Sequence, residues 1–251
     1  MKKLLILMIA VAFVSSLAFT QEEPIPPKRT KAPKVGLFGG FTPGWLSIDV
    51  APVNEFLAGA GMAPLKDNGV FMYGGAGAIY IMVVKNLRVG GMGMSGSISS
   101  STYSDVTKLR RDATLGVGFG GVTFEYVIPI VDRFDCAVGT MLGGGSMTLT
   151  LRQNQGGTNT WQSEGQVLGN WPTTQPINMT RTLDGSFFVI TPSVNFEYAV
   201  LGWLGLRLGA SYVFMLAPTW KVDNEYDLIG VPSSVKGNGI MVNAGILVGT
   251  F

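Results

Sequence analysis

Apolar and polar residues alternate along most of the chain after residue 35, with the period of two that indicates β-strands. In the clearest stretch, Phe188, Val194 and Phe196 share one face, while Asn195 and Glu197 share the other. Valine, phenylalanine and tyrosine are frequent in such stretches, which favours strand over helix. The pattern predicts eight strands, at residues 35–41, 70–84, 87–100, 113–128, 134–151, 185–200, 204–218 and 239–251.

One hairpin pattern occurs three times. A strand, a short turn and a second strand span residues 120–145, a similar unit spans residues 192–214, and a weaker copy spans residues 76–97. Related hairpins that are tight at one end are typical of an up-and-down barrel. The predicted fold class is therefore all-β, a closed antiparallel transmembrane β-barrel whose eight strands fit the even number that such barrels require.

The predicted connections alternate between short and long. The short ones lie at residues 85–86, 129–133 and 201–203, and the long ones at residues 42–69, 102–112, 152–184 and 219–238. Membrane β-barrels have short periplasmic turns and long extracellular loops, so this order predicts a periplasmic start and end.

The first long connection contains a predicted amphipathic helix at residues 51–60. Asp49 is its predicted cap, and Val50, Val53 and Leu57 have the spacing of one helical face. Two roles are open for this helix. It either packs over the barrel mouth or acts as a plug or gate in the lumen.

The composition favours strands over helices as the membrane-spanning elements. Charged residues make up 14% of the chain, against about 25% in typical soluble domains, and the mean hydropathy is +0.33. After the N-terminal region no apolar run reaches the ~18 residues of a transmembrane helix. The formal net charge of +2 provides no basic field for binding nucleic acid.

The N-terminal region predicts two further segments. Residues 1–20 have the pattern of a secretory signal peptide, because Lys2 and Lys3 precede an apolar run. Residues 21–34 contain four prolines and six charged residues, which is typical of an extended linker, here in the periplasm. The predicted barrel then occupies residues 35–251.

Along the predicted strands, one face carries large apolar residues and the other small or polar ones. In a membrane barrel the first face contacts lipid and the second fills the lumen. The apolar residues change face after Gly90-Gly91, where Met92, Met94 and Ile98 are placed outside. They change face again at Gly120-Gly121, and the residues placed outside before this second pair are Leu115, Val117 and Phe119. This change predicts β-bulges or tight bends at the paired glycines.

Five charged residues fall on the predicted inner face near the short turns. They are Arg88, Glu125, Asp135, Glu197 and Arg207. A buried charge must be paired, so these side chains are expected to form an internal network. Two interpretations remain open: a structural polar core in a filled lumen, or a proton path, gate or acid pair.

The residue types offer little for catalysis. The chain has no histidine and one cysteine, Cys136, so neither a Ser-His nor an Asp-His mechanism is available. The sequence shows no metal-binding cluster and no phosphate-binding loop in its usual context, so no enzyme activity, metal or cofactor is expected. In the longest loop, Trp161 and Trp171 lie among small polar residues and are candidate contacts for an extracellular ligand.

The eight alternating segments, the sorted connections and the terminal Phe251 resemble the small outer-membrane β-barrel proteins of diderm bacteria, including the membrane domain of outer membrane protein A. The resemblance implies an outer-membrane location, contact with outer-membrane lipids, and recognition of Phe251 by the barrel-insertion machinery. It implies a non-enzymatic protein that is structural or binds a ligand through its extracellular loops. The alternative is a narrow pore, or a conduit for lipid or small hydrophobic molecules, gated by the helix at residues 51–60.

Overall fold

The computed structural model describes residues 36–66, 69–81, 84–154 and 178–250. Its elements are β1 Leu37–Phe41, β2 Gly44–Leu46, α1 Ala51–Gly59, β3 Val70–Tyr80, β4 Leu87–Ser104, β5 Leu109–Val131, β6 Phe134–Asn154, β7 Met179–Leu201, β8 Leu204–Val222, β9 Tyr226–Asp227 and β10 Gly239–Gly249. The predicted signal peptide and linker, Trp161, Trp171 and Phe251 lie outside the described residues. In the part of the chain that is described, no helix is long and apolar enough to span a membrane.

The strands close into an antiparallel barrel with eight strand positions. Strands β3 to β8 pair in chain order, β8 pairs with β10, and β10 pairs with both β1 and β2. Strands β1 and β2 share one position, because both also pair with β3 and only Thr42 and Pro43 separate them. The short β9 pairs with β8 outside this ring. The predicted eight-stranded barrel is therefore confirmed.

The strands are staggered around the ring. Following paired residues from Tyr80 through Arg88, Glu125, Gly139, Ser193, Ser211, Met241 and Leu46 returns to β3 at Val70, ten positions from the start. Such a stagger tilts the strands against the barrel axis, as closure requires. All these residues lie on the inner face, so the path follows the lumen wall from one end of β3 to the other.

The two ends of the barrel differ in the height of their walls. The connections β5–β6 and β7–β8 are two-residue turns, and we define the end that carries them and β3–β4 as the turn end. The opposite end is the loop end. Strands β5 and β7 each have 23 residues, about twice the length needed to cross a membrane, and their additional length forms taller walls at the loop end. The prediction of a long connection at residues 102–112 was wrong, because β4 and β5 stay paired up to Ser104 and Leu109 and leave a four-residue turn.

The outer wall is apolar. One row of paired residues runs across it as Phe41, Ile246, Leu206 and Tyr198, and each is about half exposed. Leu208, Val242 and Phe196 are exposed on the same strands. An apolar exterior on a closed barrel is the lipid-contacting surface of a membrane protein.

The lumen has two halves of different chemistry. The turn-end half contains charged and polar side chains, as predicted. The loop-end half is an apolar core that includes buried side chains from α1 and the surrounding strands, among them six methionines: Met72, Met94, Met141, Met147, Met215 and Met241. The expectation that small polar residues fill the whole lumen was therefore wrong. Methionine suits this position, because its flexible side chain fills irregular gaps.

The change of apolar face does not arise from bulges. Pairing is continuous through Gly90-Gly91 and through Gly120-Gly121, and the register shifts lie near Pro129, Phe187 and Val200 instead. Leu115, Val117 and Phe119 point into the lumen, while Val122, Phe124 and Tyr126 face outward, so the pleat of β5 does not slip at its paired glycines. Met94 is likewise buried, and Met92 and Ile98 pack against the apolar core. The apolar residues change face because the content of the lumen changes.

Gly121 on β5 and Gly143 on β6 lie opposite each other, and the absence of a side chain at both positions has a steric role. A Cβ atom at Gly121 would lie 2.6 Å from the Cα of Gly143, and one at Gly143 would lie equally close to Gly121. Real Cβ atoms do not approach so closely, so the two strands meet here only because both residues are glycine.

Helix α1 forms where the sequence predicts it. Val50 occupies the N-cap position without a side-chain cap, so the prediction of Asp49 as the cap was wrong, although its carboxylate accepts a hydrogen bond from the Ala51 N–H at 2.9 Å. Val53 and Leu57 are buried in the apolar core, while Phe56 on the other face is half exposed. The helix thus packs its apolar face against the loop-end core of the lumen.

Candidate functional site

The turn-end half of the lumen holds four buried charged side chains on four strands. Arg88 lies on β4, Glu125 on β5, Glu197 on β7 and Arg207 on β8, and each is at most 7% exposed. Each comes from the inward face of an alternating strand. Arg88 is paired with Glu125 in register, and Glu197 is paired with Arg207. The barrel stagger then brings these two pairs to one level.

Arg88 joins the two glutamates. Its Nε donates to Glu125 Oε2 at 2.7 Å. Its Nη1 and Nη2 donate to the two oxygens of Glu197 at 2.7 and 2.5 Å, so this contact is bidentate. A planar guanidinium suits this position because it can bind two carboxylates at once in a fixed geometry.

Arg207 completes the group from the other side. Its Nε and Nη2 lie 2.7 and 2.6 Å from Glu197 Oε1, and its Nη2 lies 3.4 Å from Glu125 Oε2. The Asn195 side-chain amide donates to Glu125 Oε1 at 2.9 Å. We refer to Arg88, Glu125, Glu197 and Arg207 as the ion cluster. Two positive and two negative charges balance within it, which is what burial away from water requires.

Phe38 on β1 packs against both arginines. Its ring centroid lies 4.8 Å from Arg88 Cζ and 5.3 Å from Arg207 Cζ, within cation–π range. Phe38 is itself buried, beside Ala78 and Leu247. An apolar patch therefore covers one side of the ion cluster.

Asp135, the fifth predicted charge, differs from the other four. It lies on the inner face of β6, directly opposite Glu197 in register, but its side chain is only half-buried. The structure thus brings four of the predicted charges into one buried group and places Asp135 at its edge. The sequence analysis missed Phe38 as a member of this site, and Asn195 was placed on the inner face without a role. Alternation in β1, where Phe38 shares a face with Gly40, is the signal that locates Phe38.

The segment after α1 is attached to the barrel wall. The Asn54 side chain makes hydrogen bonds to both backbone groups of Leu65, at 3.0 and 2.7 Å. Ser100 Oγ donates to the Ala63 carbonyl at 2.7 Å, and Arg111 Nη1 donates to the carbonyls of Ala60 and Gly61 at 3.3 Å. Both strand residues hold the α1 segment in place over the mouth.

One of the exposed ion pairs at the loop end joins Arg181 to Asp223. Asp223 accepts hydrogen bonds from the Thr182 backbone N–H at 3.0 Å and from Arg181 Nη1 at 2.7 Å. The backbone hydrogen bond, and then the arginine, hold the pKa of the Asp223 carboxyl below its ordinary value. This contact joins the start of β7 to the turn after β8.

The described residues contain no group of three or more histidine, cysteine, aspartate or glutamate side chains that could hold a metal ion. The glutamate oxygens of the ion cluster face arginine and asparagine donors. The chemistry that this arrangement supports is electrostatic closure of the lumen.

No protein-family model matches the chain, and no curated protein matches it. Several solved structures are similar to it, and three of them have the following identity and coverage. Neisserial surface protein A has 12% identity and a TM-score of 0.39, covering 88% of this chain and 100% of its own. The Yersinia pestis attachment invasion locus protein Ail, solved with the heparin analogue sucrose octasulfate, has 9% identity and a TM-score of 0.38, covering 85% and 97%. A major outer membrane protein of Thermus thermophilus has 8% identity and a TM-score of 0.42, covering 86% and 98%.

The architecture is that of the small outer-membrane barrels. A closed ring of eight antiparallel strands leaves no unpaired sheet edge, which a β-structure within a bilayer requires. The exposed apolar exterior supplies the lipid-contacting surface. The chain is an integral membrane β-barrel protein.

Proposed function

We propose that this protein is a non-enzymatic outer-membrane barrel with a closed lumen, which acts as a structural element or binds a ligand through its loop end. The observation that carries the proposal is the double closure of the lumen. The ion cluster fills the turn-end half, and the apolar core under α1 fills the loop-end half. An eight-stranded barrel is just wide enough for its interior side chains to fill it.

The orientation is part of the proposal. The loop end, with its tall walls and longer connections, faces the cell exterior, and the turn end faces the periplasm. Outer-membrane lipids contact the apolar wall, and the barrel-insertion machinery reads Phe251 during assembly. Trp161 and Trp171 belong to the connection between β6 and β7, which this orientation exposes to extracellular ligands. The absence of histidine from the chain supports a role other than hydrolysis by a Ser-His or Asp-His mechanism.

A narrow conduit gated by α1 is the second candidate. The position of α1 over the mouth favours it, since loss of the helix would uncover the apolar core. The contacts of Asn54, Ser100 and Arg111 instead favour a fixed cap.

Conductance distinguishes the two candidates. Wild-type protein and a variant with residues 51–59 replaced by a glycine–serine linker are reconstituted into planar lipid bilayers, with an empty-vesicle control. We expect no steady current from either protein, because the ion cluster still closes the lumen when α1 is lost. A current from the linker variant alone would support the gated conduit, and a steady current from the wild type would overturn the closed barrel.

A further inference from the structure

A small chamber lies in the lumen between the ion cluster and the apolar core. Its volume is about 20 Å³. Its polar wall comes mainly from β7, β8 and β10, through Thr191, Asn195, Ser211 and Asn243, and two members of the ion cluster, Glu125 and Arg207, also line it. Met92 and Met141 form part of the apolar wall. The chamber is therefore the boundary between the two halves of the lumen.

Three polar atoms in this wall are buried and have no hydrogen-bond partner among the described residues. They are Thr191 Oγ1, Ser211 Oγ and Asn243 Oδ1. Their residues are 1%, 8% and 6% exposed. A buried oxygen or hydroxyl that lacks a partner is destabilising by about 1–3 kcal/mol, so three on one chamber point to a ligand that satisfies them.

The local backbone keeps this space open. Gly209 separates Asn195 and Asn243 in the pairing of β7, β8 and β10. A Cβ atom at Gly209 would lie 2.7 Å from Asn243 Oδ1. Any larger residue would therefore push the amide out of place, and the glycine lets the Asn243 side chain reach the chamber.

The charges on the wall limit the ligand to a neutral one. The ion cluster is balanced, and Glu125 and Arg207, which face each other at 3.4 Å, both border the chamber. A bound ion of either sign would lie beside one charge of its own sign and one of the opposite sign, so this pair would not compensate it. Such an ion would add an uncompensated charge to a buried site.

We infer that the chamber binds one ordered water molecule, held by Thr191, Ser211 and Asn243. A buried water typically makes about three hydrogen bonds and needs at least about 10–15 Å³. The volume of the chamber is sufficient, and three oxygens that have no partner among the described residues line it. The two hydroxyls can each donate or accept, and Asn243 Oδ1 accepts. This water completes the polar half of the lumen where the apolar core begins. The inference stands whether or not the loop end binds a ligand.

The first test is the effect of Thr191→Val, which keeps the shape of the side chain and removes the hydroxyl. If water is bound, it loses one of three partners, and the melting temperature falls by about a few degrees. If the chamber is dry, the substitution removes an unsatisfied buried hydroxyl, and the melting temperature rises. Thr140→Val on the outer face of β6 is the matched control. A Thr191→Val melting temperature equal to or above that of the wild type overturns the inference.

The second test is direct observation in crystals of the wild-type protein soaked in rubidium bromide. We expect density for one water within hydrogen-bonding distance of Thr191 Oγ1, Ser211 Oγ and Asn243 Oδ1, without anomalous signal from rubidium or bromide. Anomalous signal in the chamber would show an ion and overturn the neutral ligand. Side chains rotated to bond one another, with no density between them, would overturn the water.

Discussion

Removing Arg88 is the sharpest perturbation of the ion cluster, because this side chain binds both glutamates. It is 1% exposed and provides three of the short contacts in the cluster. In Arg88→Met the methionine fills much of the same volume, but two carboxylates then share Arg207 alone. One negative charge is left in the lumen without compensation.

The expected loss is large. Removing one partner of a buried ion pair typically destabilises a protein by about 3–5 kcal/mol, which lowers the folded-to-unfolded ratio by between about two and four powers of ten. Restoring the charge balance should recover part of this loss. The double variant Arg88→Met/Glu125→Gln keeps Arg207 with Glu197, whose contacts of 2.7 and 2.6 Å are intact. We therefore expect the double variant to be more stable than Arg88→Met alone.

Urea unfolding in lipid vesicles, followed by tryptophan fluorescence, measures these differences. The wild type, both single variants and the double variant form a complete cycle, which isolates the coupling between Arg88 and Glu125. Full stability of Arg88→Met would refute the assignment of a buried, coupled cluster. So would a double variant whose loss equals the sum of the two single losses.

The topology, the cap over the mouth and the loop-end ion pair each carry a further prediction. In a Cys136→Ala background, a cysteine in place of Tyr103 should react with an impermeant maleimide added outside the cell. A cysteine in place of Asn86 should react only after permeabilisation, and the reverse pattern would invert the barrel. Leu57→Ala should destabilise the fold by about 2–5 kcal/mol in urea titrations, because it leaves a cavity under α1, and an unchanged midpoint would show that α1 is not packed. The pKa of Asp223 is lowered in the folded protein, so its contribution to stability is present at neutral pH and is lost as the pH falls through that pKa. The stability difference between wild type and Asp223→Asn should therefore shrink steadily as the pH is lowered below the ordinary pKa of an aspartate; a difference that stays constant down to strongly acidic pH would have another origin.

The sequence by itself determined the number of strands and most of their pairing. The period of two and the repeated hairpins located all eight strand positions. The charges could be assigned to one group for the same reason. Glu125 and Glu197 occupy matching places in two hairpins, and Arg88 and Arg207 lie in the strands that neighbour them, so short turns fix their relative heights.

Only the tertiary structure decided what fills the lumen. Alternation divides a strand into two faces but does not say which face is inside. In β5 the outward positions Gly116, Gly118 and Gly120 are smaller than the inward Leu115 and Phe119, which reverses the rule that holds nearer the turn end. The reversal has a cause outside the strand. Beyond the ion cluster the lumen contains a packed core and the buried face of α1, and apolar side chains are most stable where that core excludes water. Closure of the ring with its ten-residue stagger brings those side chains together from strands that are far apart in the sequence.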